Sequence, residues 1–432
     1  MQTITALEGD LLALHAAYPQ RYPYLLESRA TQRGEAGWNI LFAFPQQTLS
    51  AEHPDFLARL DQAWQAEQRP SSEVSLPFSG GWFLFLDYEL AHQIEPVLSK
   101  GREAPRSNSF ATRIPAAIIQ QGEQCWIVDE GDGSYLQQIE QDLAHLSPLE
   151  PRETISVGAI EEESPEQFLQ SVERIKRYIV EGDVFQVNLS RQWSATATAP
   201  LQPHQLYQQL RTANPAPFAG LVLHQGRAII SSSPERLVEV REGVAQTRPI
   251  AGTHPRGESE AEDAALSEQL LSHPKEQAEH IMLIDLERND LGRVCQPGTV
   301  EVDELMGLET YAHVHHIVSN VKGTLRESVT PGEVIAALFP GGTITGCPKV
   351  RCMEIIDELE QSPRGAYTGS FGYLNHDGSM DLNILIRTLM MEGQQITLRA
   401  GAGIVHDSIP KRELAETRAK AKGMLMALGA SQ

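Results

Sequence analysis

Apolar positions change their period along this chain. Between residues 38 and 90 they come in short solid runs, "WNILFAF" and "GWFLFLDYEL", separated by polar loops. Runs of that length bounded by turn residues predict strands. From Ser164 the period lengthens. In "SPEQFLQSVERIKRYIVEGD" the apolar residues fall at helical spacing, Ser164 stands as a cap, a proline occupies the first turn and Gly182 closes the segment. These are the start and stop signals of one amphipathic helix. An alternating strand follows, and then two longer strand-and-turn runs, "AGLVLHQGRAIISSSPERLVEVREGVAQTRPI" and "GAYTGSFGYLNHDGSMDLNILIRTLMMEGQQITLRAGAGIV". Further helices are predicted over 259–287, 331–338, 347–360 and 410–429. Strand clusters alternating with helices in this way predict α+β layers and not a βαβ sheet. No GxGxxG or GxxxxGK[ST] and no short-period repeat occurs. A stretch rich in Pro, Ser and Glu marks a linker or surface excursion at 147–163, between an N-terminal region 1–146 and a C-terminal region 164–432.

A chain of 432 residues implies two lobes or one large composite domain. No apolar run reaches the roughly eighteen residues that span a bilayer. The first residues lack a basic segment and a cleavage site, so no signal peptide is expected. Cys125, Cys295, Cys347 and Cys352 form no CxxC pair and have no zinc-like spacing. The expectation is a reduced, cytoplasmic protein. Its formal charge of −22 argues against a nucleic-acid or anionic-membrane partner. A small anionic substrate stays admissible if local cations, or a metal ion held by the surplus carboxylates, receive it.

Several segments carry candidate chemistry. Glu276 and Glu279 lie three apart in "HPKEQAEHIMLIDLERNDLGRV", hence on one helix face, and Glu413 and Glu416 repeat the spacing with Lys420 one turn beyond. Either pair alone is an ordinary solvated face. Two such helices make hard oxygen ligands, and so Mg²⁺, plausible, although spacing does not make them face each other. In "LFPGGTITGCPKVRCMEIIDELE" three glycines with Thr343 and Thr345 run into a helix start, either a plain turn or an anion-binding loop. Gly401 and Gly403 flank one Ala in "LRAGAGIV", either a bulge or a place where a ligand approaches the backbone. His313, His315 and His316 alternate along a strand-like run, where one could serve as an acid and the others be structural.

Together these stretches resemble the chorismate-utilising enzymes, a family that holds anthranilate synthase large subunits, aminodeoxychorismate synthase component I, and isochorismate and salicylate synthases. The joint pattern is "SSSPERL … PIAGTHPRG … KEQAEHIMLIDLERNDLGRV … HHIVS … PGGTITGCPKVRCMEIIDELE … GSFGY … IRT … AGAGIV … ELAETRAKAKG". The resemblance is strong over about 160–430 and looser before. It implies a four-layer α/β/β/α fold with orthogonally packed antiparallel sheets around a cleft. It makes 164–432 the chorismate-binding catalytic domain and likens 1–146 to the N-terminal part of anthranilate synthase component I. It implies Glu279 and Glu416 as Mg²⁺ ligands with Glu276 and Glu413 as their carboxylate neighbours. Tyr367, Arg387, Gly401, Gly403 and Lys420 would bind substrate, and His316 would help the C4 hydroxyl leave. Thr343, Gly252, Thr253 and Glu235 would be further pocket groups. An acidic protein could thus bind a dianion through Mg²⁺, Arg387, Lys420 and backbone N–H groups. "RYPYLLES" is similar to a segment lining a tryptophan pocket, so Leu26, Glu27 and Ser28 would line a feedback site, a structural remnant of one, or simply a core strand.

The members differ in where they aminate chorismate. Many that act at C4 carry a nucleophilic Lys in a "PIKGT" loop, sixteen residues after the pocket glutamate, where this chain has Ala251. "PIAGT" is usual in anthranilate synthases, which aminate C2 and expel pyruvate. "PGGTITGCPK", "YPYLLES", "YAHVHHIVSNVKG" and the compact N-terminal region are more like aminodeoxychorismate synthase component I, of p-aminobenzoate and folate biosynthesis. The resemblance therefore implies amination at C4 without the lysine, with anthranilate synthase component I as the near alternative. No GxCxG nucleophile elbow occurs, so ammonia would come from a glutamine amidotransferase partner. A non-catalytic small-molecule sensor on the same fold is the alternative of another class, disfavoured by the intact acidic, Arg and Lys set.

Overall fold

A computed structural model describes residues 2–5, 9–30, 36–70, 76–101, 103–150, 155–257, 259–310, 314–360 and 362–430. His313, linker residues 151–154 and the side chain of Thr253 lie outside what it describes.

Every pairing between described strands is antiparallel, and the strands form two sheets. The first has twelve described strands. Its pairing order is Gln2–Thr5, Gln124–Asp129, Ala116–Gln121, Trp38–Ala43, Tyr24–Glu27, Phe218–His224, Arg227–Ser233, Thr388–Glu392, Gln395–Ile404, Gln186–Thr196 and Gly346–Cys347, with Glu161–Glu162 paired beside Gln186–Thr196. The second has ten, in the order Ile250–Pro255, Val314–Thr324, Val244–Thr247, Arg236–Arg241, Met380–Asn383, Ser370–Asn375, Gly81–Leu86, Phe110–Ile114 and Thr48–Ser50, with Glu301–Thr310 paired to Val314–Thr324.

The solid apolar runs follow from where these strands lie. Strand Trp38–Ala43 sends Ile40 and Phe42 into a core between the sheets, and Leu41 and Ala43 to its other face. Strand Gly81–Leu86 sends Phe83 and Phe85 into the same core, and Trp82, Leu84 and Leu86 outward. Side chains alternate faces along a strand, so a strand covered on both faces needs apolar residues at every position. Rings interlock across the middle: Tyr24 of the first sheet stacks on Phe83 of the second at 4.2 Å between centroids.

Helices cover the outer faces. Pro203–Ala213 and Pro410–Ala427 bury Leu206, Leu210, Ala421 and Met424 against the first sheet. Phe56–Glu67, Pro331–Leu338 and Pro274–Gly292 bury Phe56, Leu60, Ile335 and Leu291 against the second. Helices Pro165–Glu181 and Lys349–Leu359 close over Val187, Leu189, Ala402 and Ile404. The layers are thus helix, sheet, sheet, helix. Strands on both sides of 147–163 share each sheet: Tyr24–Glu27 pairs with Phe218–His224, and Gly81–Leu86 with Ser370–Asn375. Within the Pro/Ser/Glu-rich stretch, Val157 bridges to Ala197 and Glu161–Glu162 pairs with Trp193 and Ser194.

Local signals set most helix ends. Ser164 accepts from the Gln167 N–H, and Gly182 takes a left-handed φ of 86° that closes the last turn. Thr330 and Glu333 cap each other's backbone at the start of Pro331–Leu338. The single helix expected over 259–287 is instead two, Glu260–Ser272 and Pro274–Gly292, joined at an extended His273. Pro274 is the cause. It has no N–H to give and its ring would strike the carbonyl one turn back, so it starts a helix and does not continue one. Among the described residues no helix is long and apolar enough to cross a membrane.

Phe83 is fully buried between the sheets. Phe83→Ala is expected to lower unfolding free energy by about 3–5 kcal/mol in urea titration. A loss under about 1 kcal/mol would show that the inter-sheet core does not hold the layers together.

Candidate active site

A cavity of about 730 Å³ is lined by both sheets and by two of the helices. Glu276, Glu279 and Leu283 face it from Pro274–Gly292, and Glu413, Glu416, Ala419 and Lys420 from Pro410–Ala427. The three- and four-residue spacings put each set on one helix face, and the fold turns the two faces toward a common space. Gln186 Nε2 donates to Glu279 Oε1 at 3.1 Å. Lys420 Nζ lies 2.7 Å from Glu416 Oε1 and donates to the Gly401 carbonyl at 3.0 Å. Each acidic helix therefore has one carboxylate oriented by a neighbour.

The wall opposite is made of close-packed backbone. A Cβ on Gly401 would sit 2.6 Å from both the Tyr367 hydroxyl and Asn188 Oδ1, and one on Gly403 would sit 2.3 Å from Gln186 Nε2. At Gly401, where the Leu189 carbonyl also lies at 2.8 Å, only glycine lets the strand Gln395–Ile404 pass, whereas at Gly403 a side chain would have to displace the end of Gln186. Arg387 and Thr368, beside Tyr367, hold left-handed φ values of 55° and 61°. Non-glycine residues rarely adopt that conformation, and it collects where the fold must aim a side chain. Arg387 projects into the same cavity and is under the electrostatic influence of Tyr367, Glu416 and Glu235.

Two titratable groups in the cavity have been pushed in opposite directions. Burial raises the Glu235 carboxyl to about 7, although Thr343 Oγ1 donates to it at 2.6 Å and Lys420 and Arg387 favour its ionised form. Burial holds His316 below the usual imidazole range, although the Gly252 backbone and Glu309 act the other way. Near pH 7 the carboxyl is thus poised to carry a proton and the imidazole is neutral. Strand register places His316: it pairs with Thr253, and the register shift beside it, between Ala251 and Thr253, falls at Gly252, which has a φ of 71°. Its missing side chain also lets both helices of this region approach, since a Cβ there would meet Leu270 of Glu260–Ser272 at 2.8 Å and Glu276 Oε2 of Pro274–Gly292 at 3.0 Å.

The structure therefore gathers Glu235, Gly252, Glu276, Glu279, His316, Thr343, Tyr367, Arg387, Gly401, Gly403, Glu413, Glu416 and Lys420 around one cavity. His315 points elsewhere, to Asp263 and Thr310 at 2.9 Å each. From the "PGGTITGCPK" loop, Thr343 and Ile344 line the cavity but the helix start does not; Lys349 turns instead to Asp290 at 2.5 Å. Ala251 is buried with its methyl group at the cavity wall. Leu26, Glu27 and Ser28 line a second cavity of about 620 Å³, which shares Pro217, Pro234 and Ile250 with the first. The Glu27 carboxylate accepts there from Tyr207 at 2.6 Å and Arg211 at 3.1 Å.

Sequence reasoning missed Gln186 and Asn188. Both are buried cavity residues, and Gln186 Oε1 and Asn188 Oδ1 have no hydrogen-bond partner among the described residues. Buried polar atoms are normally satisfied, and these two oxygens line the cavity, where a donor can reach them. Their signal was two polar residues at alternate positions of a buried strand, "FQVNLS".

No group of three or more His, Cys, Asp or Glu side chains gathers as a ready metal cage among the described residues. Mg²⁺ does not need one. It takes one or two carboxylates and completes its shell with water and substrate oxygens. Four glutamates on two facing helices, with Gln186 and Lys420 orienting two of them, are an oxygen-only donor set of that kind.

An α+β fold of two antiparallel sheets, with acidic helices and two half-buried cations meeting at one cavity, defines a class that receives a small anion. The sequence matches the chorismate binding enzyme family over residues 21–426, and the chain belongs to that family. It is of the anthranilate and aminodeoxychorismate synthase type. It is 45% identical over 363 residues to the anthranilate synthase component I-like protein of Synechocystis, covering 82% of this chain and 73% of that one. It is 43% identical over 370 residues to aminodeoxychorismate synthase component 1 of Bacillus subtilis, covering 82% and 78%. The crystal structure of anthranilate synthase component I from Streptococcus pneumoniae superposes with a TM-score of 0.80 at 32% identity, over 90% of this chain and 92% of that one. The menaquinone-specific isochorismate synthase of Escherichia coli shares the fold at a TM-score of 0.75 and 19% identity, over 98% and 92%.

Gly401→Ala tests the backbone wall. The new methyl overpacks against Tyr367 and Asn188, so chorismate affinity by calorimetry should fall by about 1–3 kcal/mol, roughly tenfold or more. Unchanged affinity in a folded variant would mean that this wall does not meet the ligand.

Proposed function

We propose that this chain is component I of an aminodeoxychorismate synthase. It would exchange the C4 hydroxyl of chorismate for an amine, using Mg²⁺ and ammonia supplied by a separate glutamine amidotransferase. The observation that carries the chemistry is the convergence of Glu276, Glu279, Glu413 and Glu416 with Arg387 and Lys420 on one cavity. A dicarboxylate such as chorismate needs both kinds of group. Arg387 and Lys420 attract its charges directly, and Glu279 and Glu416, with Glu276 and Glu413 beside them, would hold Mg²⁺. Bound there, the ion supplies charge neutralisation and a fixed anchor for a substrate carboxylate.

Glu235 is the group best suited to move a proton. Breaking the C4–O bond leaves the electron pair on oxygen, and a protonated Glu235 turns the leaving hydroxide into water. The nitrogen lone pair of ammonia forms the new bond to carbon, and the surplus proton on nitrogen returns to the Glu235 carboxylate. Chorismate and ammonia thus give 4-amino-4-deoxychorismate and water, with the residue restored. Thr343 steadies the carboxyl by its hydrogen bond. His316, neutral and packed against the Gly252 backbone, suits an orienting role better than the acid role implied by the family resemblance.

The C4 assignment rests on "PGGTITGCPK" and on the Bacillus subtilis relative. Ala251 favours the second reading, anthranilate synthase component I, because a methyl group cannot form the covalent adduct that a lysine there would form. The partner is proposed because relatives are named as a component 1 and this chain has no GxCxG elbow. Tryptophan is the ligand proposed for the second cavity.

Chorismate, Mg²⁺ and ammonium should yield a product that becomes p-aminobenzoate only after a separate lyase is added. Stoichiometric pyruvate with fluorescent anthranilate would establish the C2 reading. Glutamine should replace ammonium only when an amidotransferase subunit is present, and EDTA or Glu279→Gln should abolish turnover. Glu235→Gln should lose about 10²–10⁴-fold in kcat while still binding chorismate. A raised carboxyl holds its proton below about 7 and loses it above. At constant free ammonia the wild-type rate should therefore fall as pH rises through that value. A flat profile would remove Glu235 from the proton transfer.

A further inference from the structure

Arg364 lies outside the cavity, yet the cavity wall converges on it. Its side chain is almost completely buried, and all five of its N–H groups have an acceptor. Nε and one Nη2 hydrogen go to the two oxygens of Glu360, at 3.0 and 2.7 Å. The other Nη2 hydrogen goes to the Asn188 carbonyl at 2.7 Å. Nη1 serves the Ile344 carbonyl at 3.1 Å and Thr368 Oγ1 at 3.2 Å. The guanidinium also lies over the Tyr88 and Tyr367 rings, 4.7 and 5.5 Å from their centroids.

The recipients belong to separate segments of chain. Asn188, Ile344 and Tyr367 each line the cavity, from a strand, a glycine-rich turn and a loop. Thr368 follows Tyr367 with a left-handed φ of 61°, and its hydroxyl donates to the Tyr367 carbonyl at 2.5 Å. Glu360 extends the network: it accepts from the Ser190 N–H at 2.8 Å, the Ser190 hydroxyl at 2.9 Å and Arg399 at 3.0 Å. Burial alone would raise its carboxyl, but Arg364 and Arg399 more than offset that and hold it low. A carboxylate between two guanidiniums is thus kept ionised out of water, a costly arrangement unless every donor and acceptor is matched. Every Arg364 donor is matched here, and the matching fixes directions. A guanidinium has a rigid planar fork, so holding five acceptors at once fixes the segments that carry them relative to one another.

We infer that Arg364 is the positioning residue of the chorismate site, aligning Asn188, Ile344 and Tyr367 through one buried guanidinium. The inference goes beyond the proposed amination and rests only on chorismate binding at this cavity. Lysine has the charge but cannot reach five acceptors in a plane.

The test measures chorismate binding by calorimetry and steady-state kinetics on the full chain, with circular dichroism and thermal melting as controls for folding. Arg364→Lys is expected to fold and to bind chorismate about tenfold or more weakly, with kcat/KM down roughly 10²-fold, the size of effect that small misplacement of a site produces. Arg364→Ala should lose more and regain affinity saturably with millimolar guanidinium chloride, which should do nothing for wild type or for Glu279→Gln. If Arg364→Ala does not fold, Arg364→Lys and Glu360→Gln carry the test, the latter weakening binding without removing the guanidinium. Variants that fold and bind chorismate within twofold of wild type would overturn the inference alone. So would a loss that follows only the fraction of folded protein. Wild type that binds chorismate but yields no aminated product would instead overturn the functional proposal and leave this test intact.

Discussion

Apolar contact between the two sheets is the constraint on which the rest depends. Ile40, Phe42, Phe83, Phe85, Phe371 and Tyr373 fill one inter-sheet core. That core joins the two sheets through neighbouring strands, and Gln186–Thr196 and Gln395–Ile404 in one sheet and Ile250–Pro255 and Val314–Thr324 in the other continue from those strands by backbone pairing. The cavity is walled by residues of all four strands. Close packing transmits small displacements, so the spacing across the cavity is only as firm as the rings beneath it.

Electrostatics at the cavity are arranged around a protein that is acidic overall. Arg387 is half-buried and has a left-handed backbone, and Lys420 is paired with Glu416. These cations are local exceptions to a charge of −22. Burial meanwhile lifts the Glu235 carboxyl between them into the neutral range. One environment, poor in water, thus gathers two cations and a carboxyl held near neutrality.

The buried Arg364–Glu360–Arg399 network has a different part. It contributes little net stability of the kind hydrophobic residues would supply in its place. What it supplies is direction: each donor has one place to go, and those places include the backbone of cavity residues.

Much was legible locally. Ser164, Gly182, Thr330 and Glu333 announce helix ends because capping depends on neighbours a few residues away. The two E-x-x-E spacings announce carboxylates on one face because helix geometry sets that rule. Pro274 carried the break that the 259–287 reading overlooked, again a local effect. The sequence by itself therefore determined the elements, their buried faces, and through its joint motifs the family. Tertiary structure decided that the two acidic helices face one space, that His316 and not His315 enters it, and that Gln186 and Asn188 stand there with oxygens lacking a partner among the described residues. It also decided that Arg364, in an unremarked "SPRGAY", reaches Asn188, 176 positions earlier in the chain. Spacing rules act over one or two turns, whereas these meetings depend on which sheet each segment joins and on how the core between the sheets is filled.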